Sequence, residues 1–207
     1  MMLLLLNKNV RPLVGYMIIG MFITLFTSEI NSIILAAFDN DKIYVTTVVT
    51  PMIEEISKAI PILFYVYVFY DGEREKLLQL ALVTGIGFAL FENTVLIVQN
   101  VDSVTLGWSL ARGFSTALMH GVCTMLVAFG MSFIKDNKKL AYCGTFAILM
   151  FVVIYHGIFN ALVQSEYKYI GIVLPVITYT PFLIRQIFIY LRRKKEDKQA
   201  DNATTAH

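Results

Sequence analysis

Charged side chains are scarce in this 207-residue chain: Asp, Glu, Lys and Arg make up 15% of it, where soluble domains carry about 25%. With 57% hydrophobic residues, that deficit argues against a soluble globule. Cysteine is scarcer still. Cys123 and Cys143 form no CxxC and sit in different apolar blocks, so neither a disulfide framework nor a thiolate metal site is expected, and both should be buried thiols. No HExxH occurs, which excludes a zincin built on one helix. No internal repeat and no second domain are visible. The bases lie in loops and in the tail rather than on one face, which argues against nucleic acid as a partner.

What is present is long apolar blocks, each able to cross a hydrocarbon core of about 30 Å. Ending each block where charges or turn residues cluster gives six helices, near residues 12–38, 43–70, 77–99, 104–134, 140–164 and 170–191. The expected fold class is all-α, a polytopic membrane helical bundle forming a single transmembrane domain over residues 1–191. Residues 192–207 read as a basic, disordered tail. The Leu3 to Leu6 run is too short for a signal-peptide core and precedes Lys8 and Arg11, so no cleaved signal is expected. Twelve bases (Lys8, Arg11, Arg74, Lys76, Lys135, Lys138, Lys139, Arg192, Arg193, Lys194, Lys195 and Lys198) fall on one side, and Lys42 and Lys168 on the other. That bias places both termini in the cytoplasm and the chain in the cell membrane as a multi-pass protein.

Nine ionisable groups remain inside the spans: Glu29, Glu54, Glu55, Lys58, Glu92, Arg112, His120, His156 and Arg185. Each would cost several kcal/mol facing lipid, so they are expected to pair in the bundle interior or line a wet cavity. Lys58 is four residues from Glu54 and three from Glu55, within reach of either on a helix, while the two carboxylates point about 100° apart. Pro51 and Pro61 flank this group and predict a locally broken helix whose freed backbone groups need protein or water. Glu92 has no in-span base on its own helix and needs a partner from elsewhere. Arg112, Ser115, Thr116, His120, Cys123 and Thr124 recur at helical spacing as one stripe expected to face the interior. His156 and Asn160 share a helix face. At about 1.5 Å per residue, these groups are compatible with one layer in the outer half of the membrane.

Two imidazoles plus a carboxylate suit Zn2+ with a position open for water, and a further carboxylate suits the general base of a hydrolase. The same residues would also serve a glutamate-activated water with Asn160 or an imidazole at the oxyanion, without metal. Membrane-embedded Glu, His and Lys also serve proton- or cation-coupled transporters and channels, although the inverted repeats common in transporters are not seen here.

The order Glu54-Glu55-x-x-Lys58, Gly85-x-Gly87-Phe88-x-x-Phe91-Glu92-Asn93, Arg112 with His120, and His156-x-x-x-Asn160 resembles the PrsW family of intramembrane proteases. It is more distantly similar to the CAAX prenyl protease and bacteriocin-immunity (Abi) group, whose Arg stands where this chain has Lys58 and whose second motif carries His where this chain has Glu92. The resemblance covers roughly residues 43–165. It implies an intramembrane endopeptidase acting on membrane-anchored substrates such as an anti-sigma factor, cut on the extracytoplasmic side. Glu54, Glu55 and Asn160 are implied as catalytic, with Glu54 or Glu55 as the base, and Glu92, His120 and His156 as the metal-binding or catalytic shell, with Zn2+ as the implied ion. Glu29, beside the Thr24, Thr27, Ser28, Asn31, Ser32 stripe of the first helix, and Arg185 match no motif.

Overall fold

Seven α-helices follow the apolar blocks in the computed structural model, which describes residues 6–38, 41–100, 102, 105–134 and 137–204. Residues 3–5 of the leucine run, parts of the 39–40, 101–104 and 135–136 breaks, and the last three residues of the tail lie outside the described residues. The helices are α1 (Arg11–Ala37), α2 (Lys42–Tyr44), α3 (Thr50–Val68), α4 (Arg74–Gln99), α5 (Leu106–Ile134), α6 (Lys138–Val163) and α7 (Lys168–Thr204). A π turn, Val45–Val49, joins α2 to α3. Local chemistry sets several boundaries. Pro12 enters at the first turn of α1, Asp41 caps α2 by accepting from the Tyr44 N–H, and Asn137 caps α6 by accepting from the Leu140 N–H. Gly72, at φ +104°, makes the turn between α3 and α4.

Among the described residues, five helices are long and apolar enough to cross a membrane: α1, α4, α5, α6 and the 168–196 stretch of α7. The sixth expected block is the α2, π turn and α3 unit, which carries Glu54, Glu55 and Lys58 toward the interior. The chain is a polytopic helical bundle. Its outer surface is apolar, with Phe22, Ile33, Ile60, Phe114, Phe146 and Ile177 all exposed, the reverse of a soluble helical domain.

At the centre lies α5, which packs against α3, α4, α6 and α7, while α1 lies along α4 and touches α3. Its polar stripe faces inward as expected: Ser115, Thr116, His120, Cys123 and Thr124 are buried. Two sequence expectations change. Cys143 is exposed rather than buried, because it sits beside exposed Tyr142 and Phe146 on the outward face of α6, where a small apolar thiol suits a lipid surface. The last helix runs on to Thr204, past residue 191, through a segment of Arg, Lys, Glu, Gln and Ala that favours helix; Arg192 pairs there with Glu196 at 3.4 Å.

Candidate active site

The π turn is the local event that shapes the site. Pro51 has no N–H and its ring crowds the carbonyl four residues back, so the helix widens just before it. The Thr50 N–H bonds to the Val45 carbonyl, five residues back. In that register the Thr46 carbonyl would await the N–H of residue 51, which proline lacks. Asn160 supplies the missing donor, its Nδ2 lying 2.9 Å from Thr46 O. Gln164 adds a second tie from α6 to the Thr46 hydroxyl at 3.1 Å.

Glycines bring the two histidines in. A Cβ on Gly85 would lie 2.3 Å from the His120 carbonyl oxygen, and one on Gly157, next to His156, 2.5 Å from that of Thr47. Backbone therefore meets backbone where α4 crosses α5 and where α6 crosses the π turn. At Gly20 and Gly87 the same holds for α1 against α4, with 2.1 Å to Thr84 O and Met17 O.

Five of the expected residues converge. Glu54, Glu55, His120 and His156 are at most 5% exposed, and Lys58 is fully buried with them. Lys58 Nζ donates to Glu55 Oε1 at 2.7 Å and to His120 Nδ1 at 2.6 Å. With Nδ1 accepting, the His120 ring carries its proton on Nε2, which donates to Glu92 Oε2 at 3.0 Å. Arg112 Nη2 stands 3.9 Å from the other oxygen of Glu92, so the acid on α4 finds both its partners on α5. A neutral His156 ring donates from Nδ1 to Glu55 Oε1 at 2.8 Å, and in that form its Nε2 is left as an acceptor. The two imidazoles meet edge to face at 4.9 Å between centroids, and Phe88 packs on His120 at 4.8 Å.

Within this cluster Glu54 Oε2 is buried without a hydrogen-bond partner and lies 3.9 Å from His156 Nε2. Two acceptors thus face each other with no donor between them. Glu54, His120 and His156 can each offer one ligand atom, all within 4.8 Å of one another. That donor set, one carboxylate and two imidazoles, is of the zinc type, and His120 would join it at Nδ1 only by giving up the Lys58 ammonium there while its Nε2–H keeps Glu92. Glu55 would then be the carboxylate behind a ligating histidine, fixing its tautomer.

Asn160 is spent on the Thr46 carbonyl, so the structure groups it with the π turn rather than with the carboxylates. Sequence reasoning passed over the Lys58 to His120 contact, which spans 62 positions. It also missed Asn31, whose Nδ2 donates to Glu54 Oε1 at 3.4 Å; its place in the α1 polar stripe was the signal. Glu29 and Arg185 are exposed and stand apart from the cluster.

No curated protein and no solved structure matches the chain significantly. The family of PrsW intramembrane metalloproteases matches over residues 8–185, from ahead of α1 well into α7. Every helix that lends a side chain to the buried Glu and His cluster lies within that span, and the chain belongs to the PrsW family of intramembrane proteases.

Proposed function

We propose that this protein is a metal-dependent endopeptidase that cuts membrane-anchored proteins, an anti-sigma factor being the type of substrate, on the extracytoplasmic side of the cell membrane. The observation that carries the reading is the pair of facing acceptors, Glu54 Oε2 and His156 Nε2, buried 3.9 Å apart with no donor between them. A cation resolves that arrangement. Glu54, His120 and His156 are the residues that would hold it, and Zn2+ suits their chemistry. When bound, such an ion polarises the scissile carbonyl and acidifies water.

The roles then divide by what each side chain touches. Glu92 is the partly exposed carboxylate, 26% open, and lines the cavity beside the buried cluster. His120 and Arg112 hold its two oxygens at 3.0 and 3.9 Å. It takes the proton of the attacking water and returns it to the leaving amine nitrogen. Glu54 and Glu92 thereby exchange the parts that the family motif alone suggests for them. Glu55, held by Lys58 and His156, positions the histidine, and Asn160 positions the second helical unit by completing the π turn.

Elemental analysis of detergent-solubilised protein, cleared of adventitious ions, tests the reading. Wild type and Glu92→Gln are expected to retain close to one zinc per chain, and Glu54→Gln, His120→Ala and His156→Ala to lose it, with turnover abolished in all four variants. Metal-free protein that still cleaves would overturn it.

A further inference from the structure

We propose that the face of α1 bearing Ser28, Asn31 and Ser32 is the substrate-binding wall of this protease, and that it takes its substrate as an unwound, extended peptide. The proposal rests on the protease reading above and adds where and in what form the substrate lies. A cavity of about 300 Å³ separates the second half of α1 from the π turn, α3 and α4. Thr24, Thr27, Ser28, Asn31 and Ser32 line it from α1, Thr46 and Thr50 line it from the facing unit, and Glu54 and Glu92 also line it. Leu35 and Gln99, near the ends of their helices, extend the lining toward one end of the bundle.

The α1 stripe has a polarity that packing does not explain. Along its first half α1 meets α4 backbone to backbone at Gly20 and Gly87. Further on, Ser28 and Ser32 are exposed, and Asn31 Oδ1 is buried with no partner although its Nδ2 reaches Glu54. Glu54 Oε2, on a residue 5% exposed, is likewise unpartnered, and Glu54 lines the same cavity. Glu54 Oε2 is the atom that faces His156 and the cation site, whereas the Asn31 amide oxygen and the Ser28 and Ser32 hydroxyls are the acceptors awaiting donors.

An unwound peptide is what such a wall matches. In a helix each carbonyl is engaged by the N–H four residues on, and the carbonyl carbon is shielded, so attack requires the segment to open. Opening it in an apolar setting strips its N–H and C=O groups of partners, which membranes tolerate only where protein replaces them. The amide oxygen of Asn31 and the hydroxyl lone pairs of Ser28 and Ser32 accept peptide N–H groups along one edge. Among the described residues no Lys or Arg lines the cavity, and the two carboxylates there, Glu54 and Glu92, favour neutral or basic residues flanking the scissile bond.

The test uses full-length protein in lipid nanodiscs and two synthetic single-span peptides carrying the same benzophenone photoprobe. One is a continuous Leu/Ala helix; the other carries Gly-Asn-Gly-Pro in its outer third. Cross-links are mapped by mass spectrometry. The broken peptide is expected to give at least fivefold more cross-linking to residues 24–35 and 91–99 than the continuous one. Ser28→Leu/Asn31→Leu/Ser32→Leu should erase that preference, while Ser28→Thr/Asn31→Gln/Ser32→Thr should keep it. Equal labelling by the two peptides, or a preference that survives in the leucine variant, overturns the proposal. Cleavage of the same peptides by wild type and Glu54→Gln is read separately. Product from wild type alone, with labelling elsewhere, would keep the protease and sink the wall. Groove labelling without product from zinc-loaded wild type would keep the wall and count against the catalytic assignment.

Discussion

Lys58 and Glu54 lie one turn apart on α3, yet their burial has opposite consequences. Lys58 is fully buried and donates to both Glu55 and His120, so removing it strands a carboxylate in the interior. Breaking a buried pair from one side costs about 3–5 kcal/mol, and Lys58→Ala is expected to lower stability in detergent unfolding by that amount. Glu54 leaves one oxygen unpartnered, so Glu54→Gln should stay within about 1 kcal/mol of wild type while removing function. Comparable unfolding of both variants would show that Lys58 is not structural. Spacing alone put Lys58 within reach of either carboxylate, because three and four residues are both one helical turn. Which acid it chose was not legible, since the choice is fixed by His156 arriving from α6 to share Glu55. The same holds for Glu92: its need for a partner was readable from cost, but the partner's identity waited on how α5 is rotated against α4.

Among the elements, the π turn ties a local defect to a distant repair. Pro51 withholds an N–H from the Thr46 carbonyl, and Asn160, 114 positions on, provides one. Asn160→Leu is expected to cost about 1–3 kcal/mol by leaving that carbonyl unsatisfied. Pro51→Ala restores a backbone donor, so in a double-mutant cycle it should recover at least 1 kcal/mol of the Asn160→Leu loss. Additive effects in the unfolding free energies would rule out the coupling. The two prolines announced a broken helix in the sequence. What they did not announce was that His156-x-x-x-Asn160 docks as one face on that break, with the histidine on Glu55 and the amide on the bend. Helix boundaries themselves were read within a few residues, because a hydrocarbon slab sets block length. The continuation of α7 to Thr204 escaped because hydropathy is silent about helices outside the slab.

For the whole molecule, the distribution of bases predicts a bundle with its termini inward, and hence a cavity opening outward. Gln99→Cys, at the mouth of the cavity, is therefore expected to react with a membrane-impermeant maleimide in intact cells, and Lys76→Cys only after permeabilisation. The reverse pattern would invert the topology and with it the side on which substrate is cut. Fold class was legible at this scale from composition alone, whereas the cavity was not, because a polar stripe on α1 looks the same in sequence whether it meets another helix or a substrate. The close crossings at Gly85 and Gly157 carry a last implication. A chain can be switched off without altering any acid, base or ligand. One methyl group at either glycine would act as a wedge between two backbones, and the gap it opened would fall directly on His120 or His156. Inheritance of function in such a bundle thus depends on two positions that have no chemistry to offer, and a damaging variant there would leave every reactive side chain intact.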